Sequence, residues 1–339
     1  MTKNKVRVGI VGAGGIAYVH EAGYSELDDL CQIVAVCDIN EAVARDRAAP
    51  YQARVYTDYK ALIADADVDM VDVVVPHRWH YPVALAALEQ GKHVLVEKPM
   101  AMTPEQALHL ITTAQDRGVT FTVAENTPFV AAYVEVERLL RANALGDIRF
   151  VSTTIAGSEV ARIKSGTSWV GSPENQGVLL DSGVHSFYLM RWLFGGVRDV
   201  QAFAYKVIPE SQVDDHAITI GHLANGAVFE TTQSCIVEAP WTERLEVHGS
   251  LGSLIVDHLA NPTVVHFKGP DDVEGTPVTE VAYEPLAWKY FSIVAEVQDF
   301  VRAILEGRPP RIDPYYGYHA IQVAEAAYAS IAQGKAVSL

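Results

Sequence analysis

The chain has 339 residues, 49% hydrophobic and 20% charged, a composition that supports folded cores in a chain long enough for two domains. A net charge of −16, with no clustered Lys or Arg, repels phosphate backbones and argues against nucleic-acid binding. Cys31, Cys37 and Cys235 cannot all pair and form no Cys-x-x-Cys motif, which fits reduced thiols in the cytoplasm, and no apolar run approaches the ~20 residues of a membrane span.

The N-terminal stretch starts with basic residues and turns apolar, as a signal peptide does. Glycines break the apolar run at once and no cleavage-like sequence follows, so it reads as a first strand over 6–11. Further short runs, β-branched and apolar on both faces, fall at 33–38, 71–75, 93–96 and 120–123 and suit strands buried on both sides of a parallel sheet. Between them, 81–90 is Ala/Leu-rich and stopped by Gly91, while Thr103-Pro104-Glu105-Gln106 opens a capped helix that Gly118 ends. This alternation predicts a Rossmann-type α/β domain over 1–125. One long helix is expected over 129–142. Alternating strands follow at 148–155, 200–207, 216–223, 228–234, 244–248 and 253–256, with turn signals at Asn225-Gly226 and Ser250-Leu251-Gly252. Helical pattern returns at 291–305 and 317–333. The segment 126–339 is thus expected to be an α+β domain with a large, mainly antiparallel sheet.

The first strand runs into Gly12-Ala13-Gly14-Gly15-Ile16-Ala17, a Gly-x-Gly-x-x-Ala turn. Gly12 permits the tight turn, Gly14 lets a pyrophosphate approach the backbone, and Ala17 lets the helix pack near the strand; Gly15 and Ile16 lead into the helix N-terminus. The second strand ends at Asp38, placed to accept hydrogen bonds from both ribose hydroxyls and to repel a 2′-phosphate. No Arg follows it, so NAD is expected in preference to NADP.

Glu97-Lys98-Pro99 follows the strand at 93–96, at the carboxyl end where ligands of open α/β sheets sit. Lys98 could hold a substrate hydroxyl and stabilise its developing alkoxide, although a lysine before a turn proline is also an ordinary surface residue. Asp181 and His185 are four residues apart, a spacing that shares one face of a helix. Such a pair could abstract a hydroxyl proton, or it could cap a helix and fill a core.

The glycine turn, Pro76-His77-Arg78-Trp79-His80 and 91–99 together resemble the glucose–fructose oxidoreductase/inositol dehydrogenase (Gfo/Idh/MocA) family, as do Asp214-Asp215-His216-Ala217, Asn225-Gly226-Ala227 and 247–254 in the second half. The resemblance covers nearly the whole chain. It implies a catalytic group of Lys98, Asp181 and His185. It also implies cofactor contacts from Pro76, His77, His80, Glu97 and Lys98, and substrate contacts that include Asn126. The implied substrate is a small polyhydroxylated molecule, a sugar, sugar derivative or cyclitol, and the implied assembly is a homodimer or homotetramer. Two positions depart from the family pattern: Tyr188 stands where an Asp is common, and Pro128 lies where an Arg often follows the Asn.

Other candidates carry two readings each. Arg162, Lys164 and Trp169, before Asp181, form either a solvated loop or a sugar-binding wall with Trp169 as its platform. His77 and His80 lack a third ligand at metal-site spacing, so no metal is expected. His20 and His93 read as ordinary helix and strand residues. The alternatives to an alcohol dehydrogenase are an NAD-assisted glycosidase or lyase with transient oxidation, a non-catalytic NAD-responsive regulator, and a dihydrodiol-type dehydrogenase.

Overall fold

The computed structural model describes residues 5–166, 169–257, 264–279 and 287–339. The chain divides into two compact units, Met1–Phe129 with Lys289–Tyr318, and Val130–Trp288 with His319–Leu339.

The first unit is built on β1 (Val6–Val11), α1 (Ala17–Ser25), β2 (Cys31–Cys37), α2 (Glu41–Ala48), β3 (Arg54–Tyr56), α3 (Tyr59–Ile63), β4 (Met70–Val73), α4 (His80–Glu89), β5 (His93–Glu97), α5 (Pro104–Arg117) and β6 (Phe121–Ala124). The six strands form a parallel sheet in the order β3-β2-β1-β4-β5-β6. β4 and β6 are buried at every residue, as strands covered on both faces must be. Thr103 caps α5 through Gln106 N–H, Pro104 occupies its first turn, and Gly118 ends it in the left-handed region at φ 66°. α2 begins at Asn40, whose side chain accepts from Ala42 and Val43 N–H.

The second unit contains α6 (Ala131–Arg141), β7 (Ile148–Ala156), α7 (Val160–Lys164), α8 (Val178–Asp181), α9 (Gly183–Phe194), β8 (Val197–Tyr205), β9 (His216–Leu223), β10 (Val228–Ser234), β11 (Thr242–Gly249), β12 (Ser253–Asp257), β13 (Val264–Phe267) and β14 (Thr276–Thr279). Then come α10 (Ala287–Glu306), which belongs to the first unit from Lys289 on, α11 (Pro314–Gln333), of which only the part from His319 belongs to the second unit, and β15 (Val337–Ser338) of the second unit. Its nine strands run β14-β13-β12-β11-β7-β10-β9-β8-β15, antiparallel except where β10 lies parallel to β7. The β9–β10 and β11–β12 hairpins turn at the expected Asn225-Gly226 and Ser250-Leu251-Gly252. No helix among the described residues is long and apolar enough to cross a membrane.

Two expectations change. The long helix expected over 129–142 begins only at Ala131, after a 3-10 turn at Thr127–Phe129 that contains Pro128. The boundary at 125/126 does not capture the whole first unit, because 289–318 returns to it. The cause is apolar: Ile293, Val297, Phe300, Val301 and Ile304 of α10 join Val8, Ile10 and Tyr24 in one buried cluster. Each such side chain contributes about 1.5–3 kcal/mol on burial.

Candidate active site

In the first unit the site residues gather on one edge of the sheet. All six strands are parallel, so the segments following β1, β2, β4 and β5 leave the same edge. β1 lies between β2 and β4, where the strand order reverses and a crevice opens at the carboxyl ends.

Gly12 is required by the turn itself. Its φ is +100°, and a Cβ there would lie 2.3 Å from the Val74 carbonyl oxygen. Gly14 and Gly15 differ, since a Cβ on either would meet nothing within 4 Å. Ile16 opens α1 without any side-chain cap, which leaves the first N–H groups of that helix facing the turn. This open backbone at a helix N-terminus fits a pyrophosphate. Asp38 closes the other side. Its Oδ2 accepts from Ala13 N–H at 2.9 Å and its Oδ1 from Asn40 N–H at 2.8 Å, so the carboxylate is fixed beside the glycine turn. The residues present therefore fit a dinucleotide with free ribose hydroxyls.

After β4, Pro76 leads into a 3-10 turn at His77–Trp79. His77 is buried and its ring lies 5.5 Å from that of His80. His80 is also buried, with Nδ1 2.6 Å from Pro99 O and Nε2 2.7 Å from Val75 O. It thus joins the segment after β4 to the Glu97-Lys98-Pro99 segment after β5. Burial lowers the His80 pKa, against the two carbonyls and Glu97, which raise it. Lys98 is half-buried and its backbone N–H donates to Glu97 Oε2 at 2.9 Å. Glu97 is held down at about 2; burial opposes its charge, but His20, Lys98 and His80 overcome it.

His20 is not an ordinary helix residue. It is fully buried, with Nδ1 2.9 Å from Asp72 Oδ2 and Nε2 3.2 Å from Glu97 Oε1. His93 accepts from Thr120 N–H at its Nδ1, a structural bond at the start of β5. Asn126 donates to Ser292 Oγ at 2.7 Å, tying the end of β6 to α10. Near Pro128, Arg311 donates from Nε to Pro128 O at 3.0 Å and lies over the Phe129 ring. Nothing local in the sequence pointed to it.

Asp181 and His185 belong to the second unit, and the single helix face implied by their spacing is divided. Asp181 ends α8, His185 lies in the first turn of α9, and Ser182 joins the two helices. Within 181–190 only Asp181 and His185 are partly exposed; the other residues are buried. Ser186, beside His185, is fully buried and bonded to Thr153 Oγ1 of β7 at 3.0 Å and Gln233 Nε2 of β10 at 3.2 Å. That anchor turns the next residue, His185, toward the accessible side. Asp214 receives Leu179 N–H of α8 at 3.4 Å and Tyr328 O–H at 3.0 Å. Burial pushes its pKa up. Asp214 was legible only as part of a hairpin motif, not as the support of α8.

Tyr188, at the family's Asp position, is 1% exposed and belongs to the core. Trp169 is 44% exposed. Arg162 and Lys164 lie on the short helix α7 rather than in a loop, and Arg162 pairs with Glu159 at 3.0 Å.

Known proteins fit this arrangement. Residues 6–125 match the model of an oxidoreductase family with an NAD-binding Rossmann fold, and residues 133–255 match the GFO/IDH/MocA C-terminal domain. The chain is 28% identical to inositol 2-dehydrogenase of Acidothermus cellulolyticus over 99% of its own length and 96% of that protein. It is 34% identical to D-glucoside 3-dehydrogenase of Escherichia coli over 61% of its length, a match that spans only 60% of that enzyme. Levoglucosan dehydrogenase in complex with NADH has the same fold, with a TM-score of 0.89, 23% identity and 99% of both chains covered. With its two halves matched in order by the two models, the chain belongs to the Gfo/Idh/MocA oxidoreductase family and carries an NAD-binding Rossmann domain.

Proposed function

We propose that this NAD-dependent oxidoreductase oxidises a secondary alcohol of a sugar, sugar derivative or cyclitol to the ketone, and runs the reverse reduction with the same residues. The observation that carries the reading is the exposure pattern at 181–190, where Asp181 and His185 stand partly open in an otherwise buried stretch. Bound NAD supplies the hydride acceptor. Gly12, Gly14, Gly15, Ile16 and Asp38 hold it, with Pro76, His77, His80, Glu97 and Lys98 in the neighbouring segments. His185, oriented by Asp181, takes the hydroxyl proton. The Lys98 ammonium donates to the same oxygen and steadies its developing charge. The products are the ketone, NADH and a proton. Asn126 and Trp169 position the substrate. The named activities of the relatives, on inositol and on a glucoside, favour this substrate class.

The test is NADH formation against a panel of sugars, glycosides and cyclitols, with Lys98→Ala and His185→Ala beside the wild type. At least one polyol should give stoichiometric NADH, and each variant should lose about 100-fold or more in kcat, His185→Ala with NAD binding retained. Full turnover by Lys98→Ala would overturn the assignment. Cleavage of a substrate without net NADH would replace it with a transient-oxidation hydrolase or lyase.

The proposed assembly is a homodimer or homotetramer in the cytoplasm. β8, β9 and β10 present Phe203, Tyr205, Ile218, Ile220 and Val228 as exposed apolar side chains on one face of the large sheet. An exposed patch of this kind marks an interface between copies. Sedimentation should give a dimer or tetramer that Ile220→Arg weakens; a monomeric wild type would refute it.

A further inference from the structure

We propose that His20 is a positioning residue for Lys98, acting through Glu97. The proposal rests on the catalytic role given to Lys98 above. The chain of contacts is continuous and buried. Tyr24 O–H donates to Asp72 Oδ2 at 2.8 Å, His20 Nδ1 lies 2.9 Å from the same oxygen, and His20 Nε2 lies 3.2 Å from Glu97 Oε1. The second Glu97 oxygen accepts the Lys98 N–H at 2.9 Å. Ionised carboxylates only accept, so a ring placed between two of them carries hydrogen on both nitrogens and is an imidazolium. Burial works against that charge, but Asp72 and Glu97 outweigh it and raise the His20 pKa well above its ordinary value.

The charges around this ring do not cancel among themselves. Asp72 on β4 and Glu97 on β5 are two carboxylates against one imidazolium. Glu296 on α10 is fully buried and kept protonated, since burial raises its pKa well above the carboxylate range. Glu21 on α1 pairs with Arg47, Glu125 after β6 accepts from Thr127, and His80 faces Glu97 from the segment after β4. The remaining negative charge falls at Glu97, beside Lys98. The ammonium of Lys98 lowers the Glu97 pKa, and by reciprocity Glu97 holds Lys98 in its charged form.

Asp72 Oδ1 and Glu296 Oε2 are buried without a hydrogen-bond partner. Removing the His20 ring takes away the hydrogen-bond partner that fixes Glu97 Oε1. Glu97 then loosens its hold on the Lys98 backbone and ceases to support the ammonium.

The test compares wild type with His20→Gln, Glu97→Gln and Lys98→Ala. In protein labelled with 15N-histidine, the wild-type His20 ring should keep both nitrogens protonated well above the pH range in which an ordinary histidine titrates. Both Gln variants should lose about ten-fold in kcat, and His20→Gln should keep KM for NAD within about three-fold. The alkaline limb of their kcat profiles should move down by about one pH unit, because Lys98 gives up its proton sooner. A purely structural role would lower stability without moving that limb. A His20 ring that loses its proton in the ordinary histidine range, or an unmoved limb in both variants, overturns the proposal. If His20→Gln does not fold, the wild-type ring spectrum and Glu97→Gln decide. Inactive Lys98→Ala with an unmoved limb defeats this inference alone, whereas active Lys98→Ala defeats the functional reading beneath it.

Discussion

Gly12 and Gly14 stand two residues apart in one turn, and the structure gives them opposite jobs. Gly12→Ala places a methyl group 2.3 Å from the Val74 carbonyl oxygen, on a backbone at φ +100°. The disfavoured conformation costs about 1–3 kcal/mol and the overpacking about as much again. Together they amount to about 2–6 kcal/mol, a fall of roughly 4–24 °C in melting temperature for a domain of this size. Gly14→Ala meets no atom within 4 Å and sits at an ordinary φ, so the folded chain tolerates it. Its methyl group instead occupies the space through which a pyrophosphate reaches the backbone. Loss of that approach weakens NAD binding by about 10–100-fold, or about 1.4–2.8 kcal/mol. The assay is a thermal melt without cofactor paired with an NAD titration by calorimetry. Gly12→Ala should fail the first, and Gly14→Ala should pass the first and fail the second. Wild-type NAD affinity in Gly14→Ala would refute the placement of the phosphates; a matching collapse in both melts would refute the division of labour.

Asp38→Ser removes the carboxylate that would repel a 2′-phosphate and breaks its bonds to Ala13 and Asn40 N–H. The NADP-to-NAD ratio of kcat/KM should rise about ten-fold or more, with a loss of about 1–2 kcal/mol in stability; an unchanged ratio in steady-state kinetics would count against the ribose-facing role. His319 accepts Val197 N–H at 3.0 Å, and burial, with the Arg191 charge, lowers its pKa to about 4. A folded-state pKa below the ordinary value of 6.5 means that the contribution is present above pH 6.5 and lost as pH falls toward 4. The full shift corresponds to about 3 kcal/mol. Urea titrations from pH 7 to 4.5 should therefore show a shallower decline for His319→Gln, whose amide oxygen can accept the same N–H without titrating; parallel curves would refute the linkage.

What could be read from the sequence was what local pattern encodes. β1, β9 and β10 have the expected bounds because each is a clear run of strand-forming residues closed by a turn signal. α2 and β3 escaped notice for physical reasons: α2 (EAVARDRA) is short and largely polar, and β3 has three residues with none fully buried. β13 and β14 are four residues each, and β14 includes Pro277, which argues against a strand until the strand is seen at a sheet edge. The return of α10 to the first unit could not be read from its amphipathic pattern, which tells that a helix buries one face but not against which core.

The same division runs through the candidate site. The glycine turn, Asp38 and Lys98 were legible because their meaning is carried by neighbours in sequence: a strand, a turn, a helix start. His20 was not, because its meaning lies in Asp72 and Glu97, which follow it by 52 and 77 residues. Arg311 reaches Pro128 across 183 residues, a contact no local motif announces. A lone histidine in a helix is uninformative until its two ring nitrogens have named partners. Once those partners are carboxylates, their charge and hydrogen bonds favour the imidazolium, and Glu97 carries the contact along the chain to Lys98. A site motif of this kind therefore has a visible part, the residues that touch ligand, and a buried part that sets their charge, and only the fold joins the two.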